Sequence, residues 1–593
     1  MGGAAEMRPP AGDAIAEDYR GAVTCRVMAT VSDQERADAP GQTHEVFNQA
    51  PPFEGVDLYS SNVALVEAVQ REGAGWVDGQ AREVGVFAGS AEAIELGRLA
   101  NENVPVLRTH DRFGNRIDEV DYHPAYHRFM ESSISHGLHC IPWTEERPGA
   151  HAARAATFMT MSQAEGGHGC PISMTYAAVP TLRKQPELAA EWEPRLFSRV
   201  YDARHIPPAG KDGVTCGMSF TEKQGGSDLR ANTTTARATN RFAIGAGGGG
   251  ASGEYELTGH KWFCSAPMSD LFLITAVAEE GLSCFLLPRI LPDGTRNRFN
   301  IQRLKDKLGN RSNASAEIEL DGAWAQMVGE PGRGVATVVE MINHTRLDCV
   351  LGSASGMRLG VAIATHHCAG RSAFGKPLIE QPLMRNVLAD LCVESEAATI
   401  TAMRLARAYD EAETDEHEAL FKRVATAVGK YWTCKRGPAH AAEALECLGG
   451  NGYVEESGMP RLYREMPVNS AWEGSGNVMC LDVLRALAKQ PSSLDAFFDE
   501  LELARGAEQR LDSHVQRLKD NLSSFDDIQC RARRIVEDMA LALQGSLLVR
   551  HGAPAVADAF CASRLGGDGG LEYGTLPAGT DFEAIITRNR VQV

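Results

Sequence analysis

The sequence predicts an α+β chain whose segments run helical, β, helical and helical again. Apolar residues recur at three and four residues, give way to short β-rich runs bounded by turn residues, and then return to the helical spacing. A glycine-rich motif stands where the first helical stretch gives way to the β stretch. At 593 residues the chain should hold three to five units of ordinary domain size.

Residues 1–41 are rich in Gly, Ala, Pro and Asp and lack periodicity. With seven acidic residues they predict a disordered extension rather than an Arg-rich, acid-poor leader. Residues 42–215 predict an N-terminal helical domain, as in Val63-Ala-Leu-Val-Glu-Ala-Val69 and Ala91-Glu-Ala-Ile-Glu-Leu-Gly-Arg-Leu-Ala100. Residues 216–330 predict a middle β domain with strands at 233–238, 254–258, 271–277 and 283–287, and the glycine tract at 245–253 predicts a flexible hairpin tip. Residues 331–490 are helical again, with long runs at 335–368 and 383–407. Residues 491–593 predict an additional helical domain, with helices at 501–521 and 532–550. No helical repeat recurs at a fixed period, which excludes a solenoid.

A net charge of −19 argues against electrostatic binding to nucleic acid or to anionic membranes. The fourteen cysteines are scattered, with no C-x-x-C and no cluster at metal-ligand spacing. They read as thiols of a reducing, cytoplasmic compartment, with no metal site. No apolar run approaches the ~18 residues of a membrane span, so no membrane partner is expected.

Chemistry concentrates in Phe220-Thr-Glu-Lys-Gln-Gly-Gly-Ser-Asp228, in Glu446-Cys-Leu-Gly-Gly-Asn-Gly-Tyr453 and in Ala471-Trp-Glu-Gly-Ser-Gly-Asn477. Each sets small residues and backbone N–H groups beside a few polar side chains, as a flat phosphate-bearing cofactor requires. These spacings resemble the two signature motifs of the acyl-CoA dehydrogenase family. The second signature fits at Glu446, Gly449, Gly450, Gly452, Tyr453, Glu456, Arg461 and Glu465.

The resemblance implies an acyl-CoA dehydrogenase-like fold. Its parts are an N-terminal helical domain, a middle β-sandwich or barrel, a C-terminal four-helix bundle and, here, an extra helical domain. It implies FAD held by Met218, Thr221, Gly226 and Ser227, with Trp262, Phe263 and Ser265 covering the flavin face. Gly449, Gly450, Gly452, Gly474 and Asn477 supply further cofactor contacts. Arg371 and Phe374, in Arg371-Ser-Ala-Phe-Gly375, would reach the FAD of a neighbouring subunit, implying an oligomer. Glu473 falls at the family's base position, where a carboxylate in an apolar pocket takes the α-proton of an acyl thioester. Arg346 and Trp472 fall on the substrate side.

Longer stretches resemble the AidB-like branch of that family, among them Gln42-Thr-His-Glu-Val-Phe-Asn-Gln49, Cys170-Pro-Ile-Ser-Met-Thr-Tyr-Ala177 and Arg303-Leu-Lys-Asp-Lys-Leu-Gly-Asn-Arg-Ser-Asn-Ala314. That branch implies an FAD homotetramer with weak dehydrogenase activity, a DNA-binding C-terminal domain and a role in alkylation damage. Three positions depart from the family pattern. Ser219 stands where Gly, Ala or Cys is preferred, Asn343 where an acidic residue contacts CoA, and Trp472 where Tyr is common. The last two predict slow turnover. Residues 491–593 carry eleven Lys and Arg against sixteen Asp and Glu, a balance of −5. Arg531, Arg533 and Arg534 form the tight basic cluster there, so duplex DNA should bind weakly. The expected partners are therefore an acyl-CoA or similar small molecule, an electron-transfer flavoprotein and, weakly, duplex DNA. Two other readings remain open: a flavoprotein that shields DNA during alkylation stress, and an acyl-CoA oxidase.

Overall fold

The computed structural model describes residues 43–239, 253–524 and 526–591. The predicted extension at 1–41 and nearly all of the glycine tract at 245–253 lie outside these residues. Residues 43–49 are exposed and carry no helix or strand. Residues 50–593 make one compact unit.

Side-chain caps open the first helices. Asn62 accepts the Leu65 N–H at the start of α1 (Val63–Arg71). After α2 (Asp78–Ala88), Ser90 does the same for Ala93 at the start of α3 (Ala91–Glu102). A hairpin then interrupts the region read as helical throughout: β1 (Val106–His110) pairs antiparallel with β2 (Arg116–Asp121). Its cause is local, since the Asp111 carboxylate accepts the N–H groups of Phe113 and Asn115 and closes a turn. The hairpin docks on the β domain, with Arg116 donating to the Ile301 carbonyl and Arg289 to that of Asp118. Helices α4 (Pro124–Ser135), α5 (Ile141–Thr144), α6 (Ala150–Ser162), α7 (Gly169–Leu182) and α8 (Pro186–Leu196) follow, with α6 and α7 buried along almost their whole length.

Seven strands build the β domain: β3 (Cys216–Ser219), β4 (Thr235–Thr239), β5 (Glu254–Ser265), β6 (Leu271–Ala278), β7 (Gly281–Pro288), β8 (Phe299–Leu304) and β9 (Ser315–Val328). The pairings run β4–β5–β9–β7–β6 and return to β4, so the sheet closes on itself; β3 adds to β6 and β8 to β9. Closure removes most free edges. The four strands read from the sequence are present. The turn-bounded apolar signal missed β3, β8 and β9: β3 is only four residues long, and Glu317, Glu319 and Asp321 break the apolar run of β9.

Beyond the barrel, α9 (Gly334–Gly370) is long and apolar enough to cross a membrane, yet most of that stretch is buried among protein. A small hairpin, β10 (Ser372–Ala373) and β11 (Lys376–Pro377), leads to α10 (Pro382–Glu411) and α11 (Glu416–Glu446). Two shorter helices, α12 (Met459–Ala471) and α13 (Gly476–Lys489), complete the bundle.

The last helices are α14 (Ser492–Glu502), α15 (Gln509–Leu522), α16 (Ile528–His551), α17 (Pro554–Phe560) and α18 (Phe582–Asn589). The stretch 501–521, read as one helix, is two, because a turn around Gly506 separates them and the Asp512 carboxylate accepts the Gly506 N–H. These helices share the bundle's hydrophobic core. Buried ion pairs reinforce the contact: Arg404 of α10 bonds both Glu418 and Glu500 at 2.8 Å, and Arg564 pairs with Asp390.

Candidate active site

Helix α12 ends at Ala471 and α13 begins at Gly476, and the turn between them carries Glu473 in a left-handed conformation, φ 56°. A non-glycine residue there costs on the order of 1 kcal/mol, so its surroundings must hold it. Two buried cations do so. Arg346 of α9 donates from Nε to the Glu473 carbonyl at 3.0 Å. Lys430 of α11, 1 % exposed, donates to the carbonyls of Trp472 and Gly474. Three consecutive carbonyls are thus pinned from two helices. Gly474 follows at φ 105°, where a Cβ would stand 2.5 Å from Met479 Cε.

The Glu473 carboxylate opens on a cleft of about 1680 Å³ between the barrel, α9, α12 and the α6–α7 turn. Burial pushes its pKa above the usual carboxylate range, opposed by the Thr345 hydroxyl, which donates to Oε2 at 2.9 Å, and by the charges of Arg346 and Lys430. Asp482 accepts from Arg346 at 2.9 Å and from Arg423 at 3.0 Å, with Arg485 beside it. Burial would raise Asp482, yet these arginines hold it below its ordinary value. Around the mouth of the cleft stand Arg230, Arg333, Arg423, Arg485 and Lys489, a local excess of positive charge on an acidic molecule.

The structure brings Met218, Thr221, Gly226, Ser227, Phe263, Ser265, Arg346, Trp472, Glu473 and Gly474 into the wall of this one cleft. Gly226 is packed against Thr221, whose Oγ1 would stand 2.8 Å from an added Cβ, so only backbone fits there. Trp262 lies just outside, its N–H bonded to the Thr221 carbonyl and its ring covered by Lys305 Nζ at 3.2 Å.

The remaining candidates lie elsewhere. Arg371 and Phe374 follow the far end of α9, about 38 Å along the helix from Thr345 at 1.5 Å per residue. Gly449, Gly450 and Gly452 follow the end of α11 at the same extremity, where the Cys368 thiol approaches the Cys447 carbonyl at 3.6 Å. Phe374 is 98 % exposed and Tyr453 82 %. One chain therefore carries the expected cofactor contacts as two separated halves. Asn477 belongs to neither, because its Oδ1 accepts from Arg533 of α16 at 2.9 Å. Of the basic cluster, Arg531 donates to the carbonyls of Asn521, Ser524 and Asp526, and Arg534 pairs with Asp538.

Sequence reading missed Lys430, Thr345 and Asp482. Lys430 had left a signal: a single charge within the apolar run Val424-Ala-Thr-Ala-Val-Gly-Lys-Tyr431.

Comparison with known proteins places this geometry in a family. Residues 48–203 match the adaptive response protein AidB N-terminal domain, 217–323 the acyl-CoA dehydrogenase middle domain, and 332–488 the acyl-CoA dehydrogenase C-terminal domain. AidB of Escherichia coli K12 is 45 % identical over 532 residues, covering 89 % of this chain and 96 % of that protein. Acyl-CoA dehydrogenase family member 11 of Caenorhabditis elegans is 30 % identical over 502 residues, 78 % of each chain. The crystal structure of Caenorhabditis elegans ACDH-11 in complex with C11-CoA superposes with a TM-score of 0.80 at 27 % identity, over 90 % of this chain and 95 % of that one. The chain belongs to the acyl-CoA dehydrogenase family of FAD flavoproteins, in its AidB-like branch.

Proposed function

We propose that this chain is a slow FAD-dependent acyl-CoA dehydrogenase in which Glu473 removes the α-proton of a bound acyl thioester. One observation carries the reading: a carboxylate of raised pKa, fixed by Thr345, Arg346 and Lys430, faces the same cleft as Met218, Thr221, Gly226, Ser227, Phe263 and Ser265. Desolvation makes Glu473 basic enough to take a weakly acidic proton near neutral pH, while Arg346 and Lys430 keep its ionised form accessible. The pinned turn fixes the carboxylate's direction, and correct placement alone accounts for a large share of such rate enhancements.

The residues fit FAD. The Gly226–Thr221 contact leaves bare backbone for close approach, and the cleft has room for a planar ring beside a thioester. Met218, Thr221, Gly226, Ser227, Phe263 and Ser265 would hold FAD, which when bound would supply a hydride acceptor for the β-hydrogen. The basic mouth suits the phosphates of CoA. Asn343 lines that mouth as a neutral amide, and the indole of Trp472 fills space beside Glu473 while its Nε1 has no partner among the described residues; both features support slow turnover.

The separated halves support a homo-oligomer, a homotetramer by family likeness, in which Arg371, Phe374 and Gly449–Tyr453 complete the cofactor site of another copy. An electron-transfer flavoprotein as acceptor and a cytoplasmic location belong to the same proposal. Anaerobic mixing of the purified protein with a panel of acyl-CoAs tests it by bleaching of the flavin. No bleaching by any of them would sink the dehydrogenase reading, and rapid reoxidation by air would favour the oxidase.

A further inference from the structure

The far end of the cleft has different chemistry from its walls. Phe158, Cys349, Leu359, Leu462 and Met466 make the walls apolar. At the floor the segments 163–168 and 307–313 meet the first turns of α12, bringing Gln163, Glu165, Lys307, Arg461 and Glu465 together.

One of these groups is fully engaged. Glu165 accepts from the N–H groups of Gly167 and His168, the His168 ring, the Ser312 hydroxyl and the Asn101 amide. Arg461 donates from Nη2 to the Ala164 carbonyl, and its Nη1, in the space left by the missing side chain of Gly97, has no partner among the described residues. The others keep capacity in reserve. Lys307 Nζ donates to the Asn313 carbonyl and the Ser315 hydroxyl, leaving one of three protons. Glu465 accepts the Asn310 N–H at Oε1, 2.7 Å, and among the described residues nothing bonds its Oε2. Gln163 is 5 % exposed, and its amide oxygen has no partner among the described residues. A buried amide left so is costly unless a ligand completes it.

Charge at the floor is finely balanced. Burial lowers Lys307 to about 8, and burial together with Glu165 raises Glu465 to about 7. Near neutral pH the floor thus presents a donor in Lys307 and, in Glu465, a group that accepts or donates. With Glu465 ionised, a ligand atom satisfying both must accept from Lys307 and donate to Glu465, as a hydroxyl does and an alkyl end cannot. Glu465 lies six residues before Ala471, about 9 Å along α12. At roughly 1.2 Å per bond of extended chain, that distance spans about six to eight carbons.

We propose that the floor of the cleft recognises a hydroxyl at the far end of a medium-length acyl thioester, with Lys307 donating to it, Glu465 accepting from it and Gln163 beside them. This rests on the reading that Glu473 stands over the α-carbon of an acyl-CoA in the same cleft. Buried polar groups discriminate strongly against a ligand that leaves them unpaired, far more than an apolar wall discriminates against one extra methylene.

The test uses the FAD-loaded Glu473→Gln protein, which keeps the ligand from reacting, titrated with chain-matched thioesters. The probes are octanoyl-CoA against 8-hydroxyoctanoyl-CoA, the hexanoyl pair, and octanedioyl-CoA. The hydroxyacyl thioester of at least one pair should bind roughly tenfold tighter or more than its alkyl counterpart. Adding Lys307→Met or Gln163→Leu should shrink that preference to about twofold, with octanoyl-CoA binding retained. Equal or weaker binding of both hydroxyacyl thioesters to the intact floor would overturn the inference while leaving the dehydrogenase reading in place. Preference for octanedioyl-CoA alone would replace the hydroxyl with a carboxylate and overturn it too. Failure of every thioester to bind would remove both.

Discussion

The Thr345 hydroxyl donates to Oε2 of Glu473 at 2.9 Å, so a hydrogen bond from α9 favours the ionised form of a carboxylate that burial disfavours. Proton abstraction requires that ionised form. Flavin reduction by an acyl-CoA should therefore rise with pH through the raised pKa of Glu473 and level off above it. Thr345→Val removes the bond and should move the midpoint to higher pH. Rapid-mixing measurements across pH would show this, and an unmoved midpoint would assign the titration to another group.

Replacing Glu473 with Gln keeps the shape of the turn and removes the proposed base. FAD should remain bound while reduction by acyl-CoA slows by roughly 10²-fold or more. Unchanged kinetics would place the base elsewhere.

Lys430 is buried, and its ammonium is spent on two carbonyls of the Glu473 turn. In Lys430→Met those carbonyls lose a charged donor, at a cost on the order of 3 kcal/mol in stability. Thermal unfolding should report that loss, and reduction should slow as the turn leaves its strained conformation. A variant of full stability and full speed would show that the pinning is incidental.

The second half of the cofactor contacts makes its own prediction. Arg371→Ala and Phe374→Ala should lower FAD occupancy and loosen association together, because both residues follow the far end of α9, about 38 Å along it from Thr345. Sedimentation with the flavin absorbance as tracer separates the cases. A fully loaded monomer would contradict the shared site.

For duplex DNA the geometry narrows the expectation drawn from sequence. Arg531 is engaged with three carbonyls at the end of α15, which leaves Arg533 and Arg534 as the exposed members of the cluster. Two phosphate contacts give a slope of about −2 in the logarithmic salt dependence. Gel-shift titrations should find weak binding that disappears near physiological salt. Persistence there, or in Arg533→Ala/Arg534→Ala, would locate the DNA surface on other residues.

Much of this was legible in the sequence, for identifiable reasons. Amphipathic spacing marked α9 and α10 to within a few residues of their ends, and apolar runs between turn residues marked β5, β6 and β7. Local motifs gave Gly226, Ser227 and Glu473, because each sits in a short segment whose chemistry depends on its own neighbours. What stayed hidden depends on contacts distant in sequence. The β1–β2 hairpin owes its place to Ile301 and Arg289, β9 hides its periodicity under three acidic residues, and Thr345 reaches Glu473 across 128 positions. The division of the expected cofactor residues between two ends of α9 is likewise a property of helix length, which motif spacing does not measure.

The final helix has a consequence for how the chain is made. Arg588 of α18 reaches Glu67 of α1 across 521 positions and pairs as well with Glu396, while Arg358 of α9 donates to the carbonyls of Asn589 and Ser61. The first and last helices are clasped to the same central one. On the ribosome, where N-terminal segments emerge and fold first, this clasp cannot form until α18 has emerged. Helix α1 must wait, partly unpartnered, until α18 appears. A truncation of α18 should then be felt first at α1, as faster amide exchange there.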